Sequence, residues 1–308
     1  MRNIKKYKLN SDYTSNKDNL EYPTVSYVEE NTKVFYKEKP APPIVTYTTT
    51  GASQQVKLVH QKQYLDYAKI LDNGEELTVT GTDALNYTFE NPGEHQVELK
   101  FKDDATTLAS GFSGCSQLTS IPDNLFNNNT AVSNFSYTFY NCSGLTSIPE
   151  NLFKYNTAVT SFSNTFQNCS GLTSIPANLF SNNTKVTYFS YTFSNCSQLT
   201  GSIPENLFSN NTAVTNFTNT FYNCKRLTNI PEKLFSNNTK VTSFFGTFKS
   251  CSGLTGNTPV DSDGTPIYNR SGEGKDGYAV VTNYVNCFGN CTGLTDYSSI
   301  PSGWKELY

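Results

Sequence analysis

The apolar positions of the chain follow two different patterns, which meet near residue 105. Downstream of it they recur at fixed offsets. A phenylalanine (Phe112, Phe139, Phe166, Phe193, Phe221, Phe248, Phe288) is followed three residues later by a cysteine and three after that by a leucine. Isoleucine-proline, a Leu-Phe pair and a valine complete the unit, as in NCSGLTSIPENLF at 141–153 and NCSGLTSIPANLF at 168–180. The cysteines stand at 115, 142, 169, 196, 224, 251 and 291, with spacings of 27, 27, 27, 28, 27 and 40. Gly201 accounts for the 28, and an insertion between Pro259 and Val281 accounts for the 40. A unit this short cannot bury a face alone, so the units stack and each apolar column becomes a ladder, about 4.8 Å per layer.

Within one unit, Val159, Phe162, Phe166 and Cys169 lie at offsets 0, 3, 7 and 10. That spacing predicts one face of a helix or a pair of short helical turns, started by Asn156-Thr157 as capping residues. Leu-Thr-Ser-Ile reads as a short strand ended by proline, and Glu-Asn-Leu-Phe as a turn that roofs the core. The expected fold is an α/β repeat solenoid of the leucine-rich-repeat type over residues 105–308. It has about seven 27-residue coils and an insertion at about 257–279.

Upstream, residues 44–104 lack the repeat. IVTYTTT, QVKLVH, EELTVTG and NYTFENPGEHQVELKFK are short strand-like runs with turn signals at Asp72-Asn73-Gly74 and Asn91-Pro92-Gly93. They predict a small β domain capping the first coil. Residues 1–43 are polar, rich in tyrosine and end in KPAPP, an extended arm in which EYPTVSYV and TKVFYKE could pair as a hairpin.

Cysteines in a ladder point the same way into the core, whereas a disulfide needs Cβ vectors aimed at each other. The column cysteines therefore read as free buried thiols, with a disulfide framework as the rival reading. Cys287 takes the column held elsewhere by Thr138, Thr165, Thr192, Thr220 and Thr247. A buried replacement is favoured there over a reactive thiol, because no activating base is apparent.

The unit resembles the BspA-like leucine-rich repeats of bacterial surface proteins, through its F..C..L..I.IP run over about residues 105 to 304. The resemblance implies a bacterial surface setting.

Composition narrows the function. Phe and Tyr number 41 together, which argues against disorder, and a net charge of −3 gives no basic footprint for nucleic acid. No apolar run reaches the roughly 18 residues of a membrane helix, and none follows the basic MRNIKKYK start as a secretory signal would. The expected location is therefore the cell surface or extracellular space if a leader was removed, and otherwise a virion or the cytoplasm.

His60 and His95 have no partners at metal-site spacing. Asp261, Asp263 and Glu273 in the insertion lack the full ligand series of a calcium loop, so a solvated Gly-rich loop is preferred. The Asn-x-Ser/Thr sites, such as Asn128, Asn141 and Asn182, follow from the repeat's own columns and need no glycosylation.

No catalytic, cofactor or metal site is expected. What varies from coil to coil is surface: Tyr137, Asn164, Tyr191, Asn219 and Gly246 in one column, and Tyr140, Gln167, Ser194, Tyr222 and Lys249 in another. Tyrosine gives broad amphipathic contact area at low entropy cost. Tyr137, Tyr140, Tyr191 and Tyr222 are the candidate binding face, with ordinary solvated surface as the plain alternative. The expected function is non-enzymatic recognition or adhesion toward a protein or glycan. The alternative is a structural component of a phage particle or surface assembly, docked through the N-terminal arm.

Overall fold

A computed structural model describes residues 41–271 and 276–306. The chain divides into two units, Met1–Ala41 and Pro42–Tyr308, and the second is the subject here. The arm and hairpin expected before residue 41 lie outside the described residues.

The strand-like runs of the upstream segment become strands. They are β1 (Ile44–Thr49), β2 (Gln54–Val59), β3 (Leu65–Ile70), β4 (Glu76–Leu77), β5 (Leu85–Phe89) and β6 (Gly93–Phe101). A further strand, β7 (Leu118–Ser120), comes from the first repeat. The larger sheet has the order β4-β3-β6-β1-β7, with antiparallel neighbours, while β2 and β5 form a separate pair. In β1 every second residue is buried (Val45, Tyr47, Thr49), as expected of a strand with one face on a core. Tyr47 opposes both His95 and Leu118, so β1 joins the upstream sheet to the repeats.

The α/β leucine-rich-repeat solenoid expected from the sequence does not stand. Among the described residues the only α-helix is α1 (Ser302–Lys305), far too short and too late to be a repeat helix. The Leu-Thr-Ser-Ile strands are mostly absent too. Besides β7, the described residues of the repeat region hold only the strands β8 (Gly201–Ser202) and β9 (Leu227–Asn229), paired in parallel. Strands of the described residues form only small sheets, and the leucine-rich-repeat description falls with the fold class.

Stacked turns take the helix's place. From Phe135 to Cys142, the N–H groups of Thr138, Tyr140 and Cys142 donate three residues back within the repeat. Those of Phe135, Tyr137, Phe139 and Asn141 donate to Ser161, Ser163, Thr165 and Gln167 of the next repeat. A helix would use all of these groups internally. Here alternate groups bond the neighbouring layer, because Tyr137 and Asn141 adopt left-handed backbone conformations (φ 61° and 58°) that end each turn. Single parallel bridges link Thr107, Asn134, Ser161, Tyr188, Asn216, Ser243 and Asn283 in turn.

The apolar columns are buried ladders. Phe139, Phe166 and Phe193 stack with ring centroids 5.4 and 5.7 Å apart. Polar ladders run beside them. Asn156 Nδ2 donates to Phe126 O and Asn129 O of the preceding repeat (3.1 and 2.9 Å), and Asn183, Asn211 and Asn238 repeat that arrangement. Both ends are closed. Phe101 packs edge-on against Phe112 in the first repeat. At the other end, Asn286 and Phe288 donate to Gly303 O and Trp304 O, and the buried Trp304 ring stacks on Tyr284.

Candidate binding face

Two columns, four residues apart, hold left-handed backbone. One contains Ser110, Tyr137, Asn164, Tyr191, Asn219, Gly246 and Asn286; the other contains Gly114, Asn141, Asn168, Asn195, Asn223, Ser250 and Asn290. Asparagine and glycine suit this conformation, asparagine because its short amide bonds locally. The second column gains further from the ladder: Asn168 Nδ2 donates to Asn141 Oδ1 at 2.7 Å, and Asn195 and Asn223 continue it at 2.9 Å each. At Gly246 a Cβ would sit 2.1 Å from Asn219 Oδ1, so a side chain there would have to displace the Asn219 amide.

Tyr137 and Tyr191 have neither advantage. A bulky residue in this region costs on the order of 1 kcal/mol or more, and these two sit at φ 61° and 58°. Tyr137 is 43% exposed, so little packing offsets the strain. Its ring meets that of Tyr140 edge-to-face at 5.7 Å. Tyr140, Tyr191 and Tyr222 are half-buried. The four tyrosines thus occupy two adjacent columns across repeats two, four and five, with Tyr137 and Tyr140 brought together in the first of these.

Two aromatic residues outside the expected set are at least as exposed. Tyr188 (48%) stands in the bridge column among Asn134, Ser161 and Asn216, and Tyr155 (47%) lies beneath the Lys154 ammonium at 5.5 Å. Each is a tyrosine where equivalent positions are small and polar, a signal present in the sequence but read there in only two columns.

All eight cysteines are free and buried. The thiols of Cys142, Cys169, Cys196, Cys224, Cys251 and Cys291 donate to main-chain carbonyls of the layer before, as Cys169 Sγ does to Phe139 O at 3.0 Å and Cys196 Sγ to Phe166 O at 3.1 Å. Burial pushes the Cys142 and Cys291 thiols up to about 12 and raises Cys287 as well. Such groups are poor nucleophiles.

The insertion is not a simple solvated loop. Asp261, Ile267 and Arg270 are buried. Arg270 Nε donates to Asp261 Oδ1 at 2.7 Å and its Nη2 bonds the same oxygen. The guanidinium also lies 4.2 Å over the Tyr278 ring. Asp261 is thereby engaged by a cation, Asp263 accepts from Thr265 N at 3.0 Å, and Glu273 lies outside the described residues.

His95 is buried in the upstream sheet. Its Nδ1 is 2.6 Å from Asp72 Oδ2, its Nε2 3.0 Å from Thr49 Oγ1, and its ring stacks on Phe89 at 3.8 Å. It borders a cleft of about 240 Å³ shared with Ile70, Asn73, Tyr87 and Glu90. The polar groups there bind one another: Tyr87 Oη donates to Glu75, Asn73 Nδ2 donates to Tyr87 Oη, and Ser53 Oγ donates to Glu90.

Among the described residues no group of three or more His, Cys, Asp or Glu is placed to hold a metal ion, and no helix is long and apolar enough to cross a membrane. Compared with protein-family models and with curated proteins, the chain matches none.

Proposed function

We propose that the protein is a non-enzymatic recognition module that presents its tyrosine columns to a protein or glycan at a bacterial surface. The observation that carries the reading is the placement of Tyr137 and Tyr191. Both hold left-handed backbone where the repeat otherwise uses Asn, Gly or Ser. Backbone strain retained at aromatic side chains, one exposed (Tyr137) and one half-buried (Tyr191), is the pattern expected where contact with a partner, not folding, selects the residue. The ladders beneath are rigid by construction, so the face is held in place with little ordering cost on binding. The surface setting rests on the resemblance of the repeat unit to those of bacterial surface proteins.

The test is capture by the full chain on glycan and protein arrays, with Tyr137→Asn/Tyr191→Asn/Tyr222→Gln as the control. These replacements are residues the same columns already use, so the fold is retained. Ligands that bind the parent and not the triple variant support the reading. Ligands that bind both equally overturn it.

A further inference from the structure

We infer that the ligand of this face is an uncharged, extended β-1,4-linked polysaccharide laid along the stack; this rests on the recognition reading above. Three observations point to it. First, over repeats two to five the left-handed column alternates tyrosine with asparagine: Tyr137, Asn164, Tyr191 and the buried Asn219. Layers joined by parallel bridges advance about 4.8 Å each, which places the two tyrosines about 10 Å apart. An extended β-1,4-linked chain has a two-fold screw, so alternate sugars present the same face at a spacing close to two such layers. Each tyrosine can then stack on one sugar face while the asparagine between them meets the flipped sugar.

Second, the amide row beside this column runs parallel to it. Asn168 and Asn195 donate along the row at 2.7 and 2.9 Å. Each primary amide has a second N–H beyond that bond, and an oxygen with two lone pairs. Vicinal hydroxyls are both donors and acceptors, and a row of amides at layer spacing supplies partners for one sugar after another. Third, the chemistry is neutral. Over repeats two to five neither variable column contains a charged residue, and the first is Lys249 in repeat six. An acidic or basic polymer would find no counter-charge here, whereas an uncharged glycan needs none.

Calorimetric titration of the full chain with β-1,4-linked glucose and N-acetylglucosamine oligomers of two, four and six units tests the inference. At least one series should tighten by about tenfold from dimer to hexamer, as a second ring engages, and then level off. Tyr191→Asn should remove that gain with length, and Tyr155→Ala should leave both the gain and dimer binding nearly unchanged. Equal binding of the α-1,4-linked glucose hexamer, which coils instead of extending, would overturn the inference. So would affinity independent of length. Tyrosine-dependent capture of a protein with no saccharide bound would also overturn it, yet leave the recognition reading standing. No tyrosine-dependent ligand of any kind would remove both.

Discussion

Arg270 stands to Asn238 as Asn238 stands to Asn211. Arg270 Nη1 donates to Asn238 O at 3.1 Å, and Asn238 Nδ2 donates to Asn211 O at 3.0 Å. The second acceptor is matched too, since Arg270 Nη2 takes Phe235 O at 3.0 Å where Asn238 takes Phe208 O at 3.1 Å. After repeat five there is no further asparagine for this ladder, so Asn238 O would lose its side-chain donor and Phe235 O would keep only the Asn238 N–H at 3.0 Å. The insertion delivers a guanidinium instead, neutralised by the buried Asp261.

Removing one member of that pair should therefore be costly. Arg270→Ala takes away the guanidinium that neutralises the buried Asp261 together with the donors to Phe235 O and Asn238 O, and should destabilise by about 3–5 kcal/mol in urea unfolding. The double variant Asp261→Ala/Arg270→Ala removes the charge along with its partner and should lose less than Arg270→Ala alone. A double variant weaker than the single one would mean that the pair is not the closing element of the ladder.

Tyr137→Asn should stabilise the protein, by about 0.5–1 kcal/mol, by relieving the strain at φ 61° with a residue its own column already uses. Thermal melting of the parent and the variant measures this. A fall in melting temperature would show that the tyrosine ring serves the fold, and would weaken the argument that it serves a ligand.

Phe166→Ala should cost about 3–5 kcal/mol, the range for truncating a packed aromatic. Its ring is fully buried between Phe139 and Phe193. The stack on either side cannot collapse into the gap without breaking the inter-layer hydrogen bonds. Chemical denaturation with an unchanged m-value would confirm a local loss of packing.

The thiols make stability depend on alkaline pH. Burial raises Cys142 and Cys291 from 9.0 to about 12 in the folded chain. The unfolded chain, with ordinary thiols, therefore gives up its protons first. Stability is fully present below about pH 9 and falls as pH rises toward about 12, by up to about 1.4 kcal/mol per pH unit for each such thiol. The urea midpoint should fall between about pH 8 and about pH 10, and Cys142→Ala should reduce the slope. Thiol titration should find no fast-reacting cysteine until denaturant is added.

The sequence alone determined the period, the columns and the fate of the cysteines. Burial follows from recurrence: a residue such as Phe166 or Cys169, repeated at one offset in every unit, must face the shared interior because only that environment is the same in every layer. The strand-like run IVTYTT likewise announced β1. Helix versus turn could not be decided this way. Offsets of 0, 3, 7 and 10 fit a helical face and also a run of turns that reverses at every fourth residue. The difference is where alternate N–H groups go, and that depends on a neighbour 27 residues away. The column of Asn141, Asn168, Asn195 and Asn223 held the clue in its preference for left-handed backbone, which weighs against a helix.

Tertiary structure alone decided three further things. It paired β7 of the first repeat with β1, a contact between residues more than 70 positions apart. It turned Asp261 and Arg270 inward, where the local sequence reads as a polar loop, and set the guanidinium on the carbonyls of Phe235 and Asn238. And it showed that Tyr137 and Tyr191 share a backbone conformation that tyrosine does not favour. Backbone strain is a property of φ and ψ imposed by the surrounding ladder, and no residue name carries it.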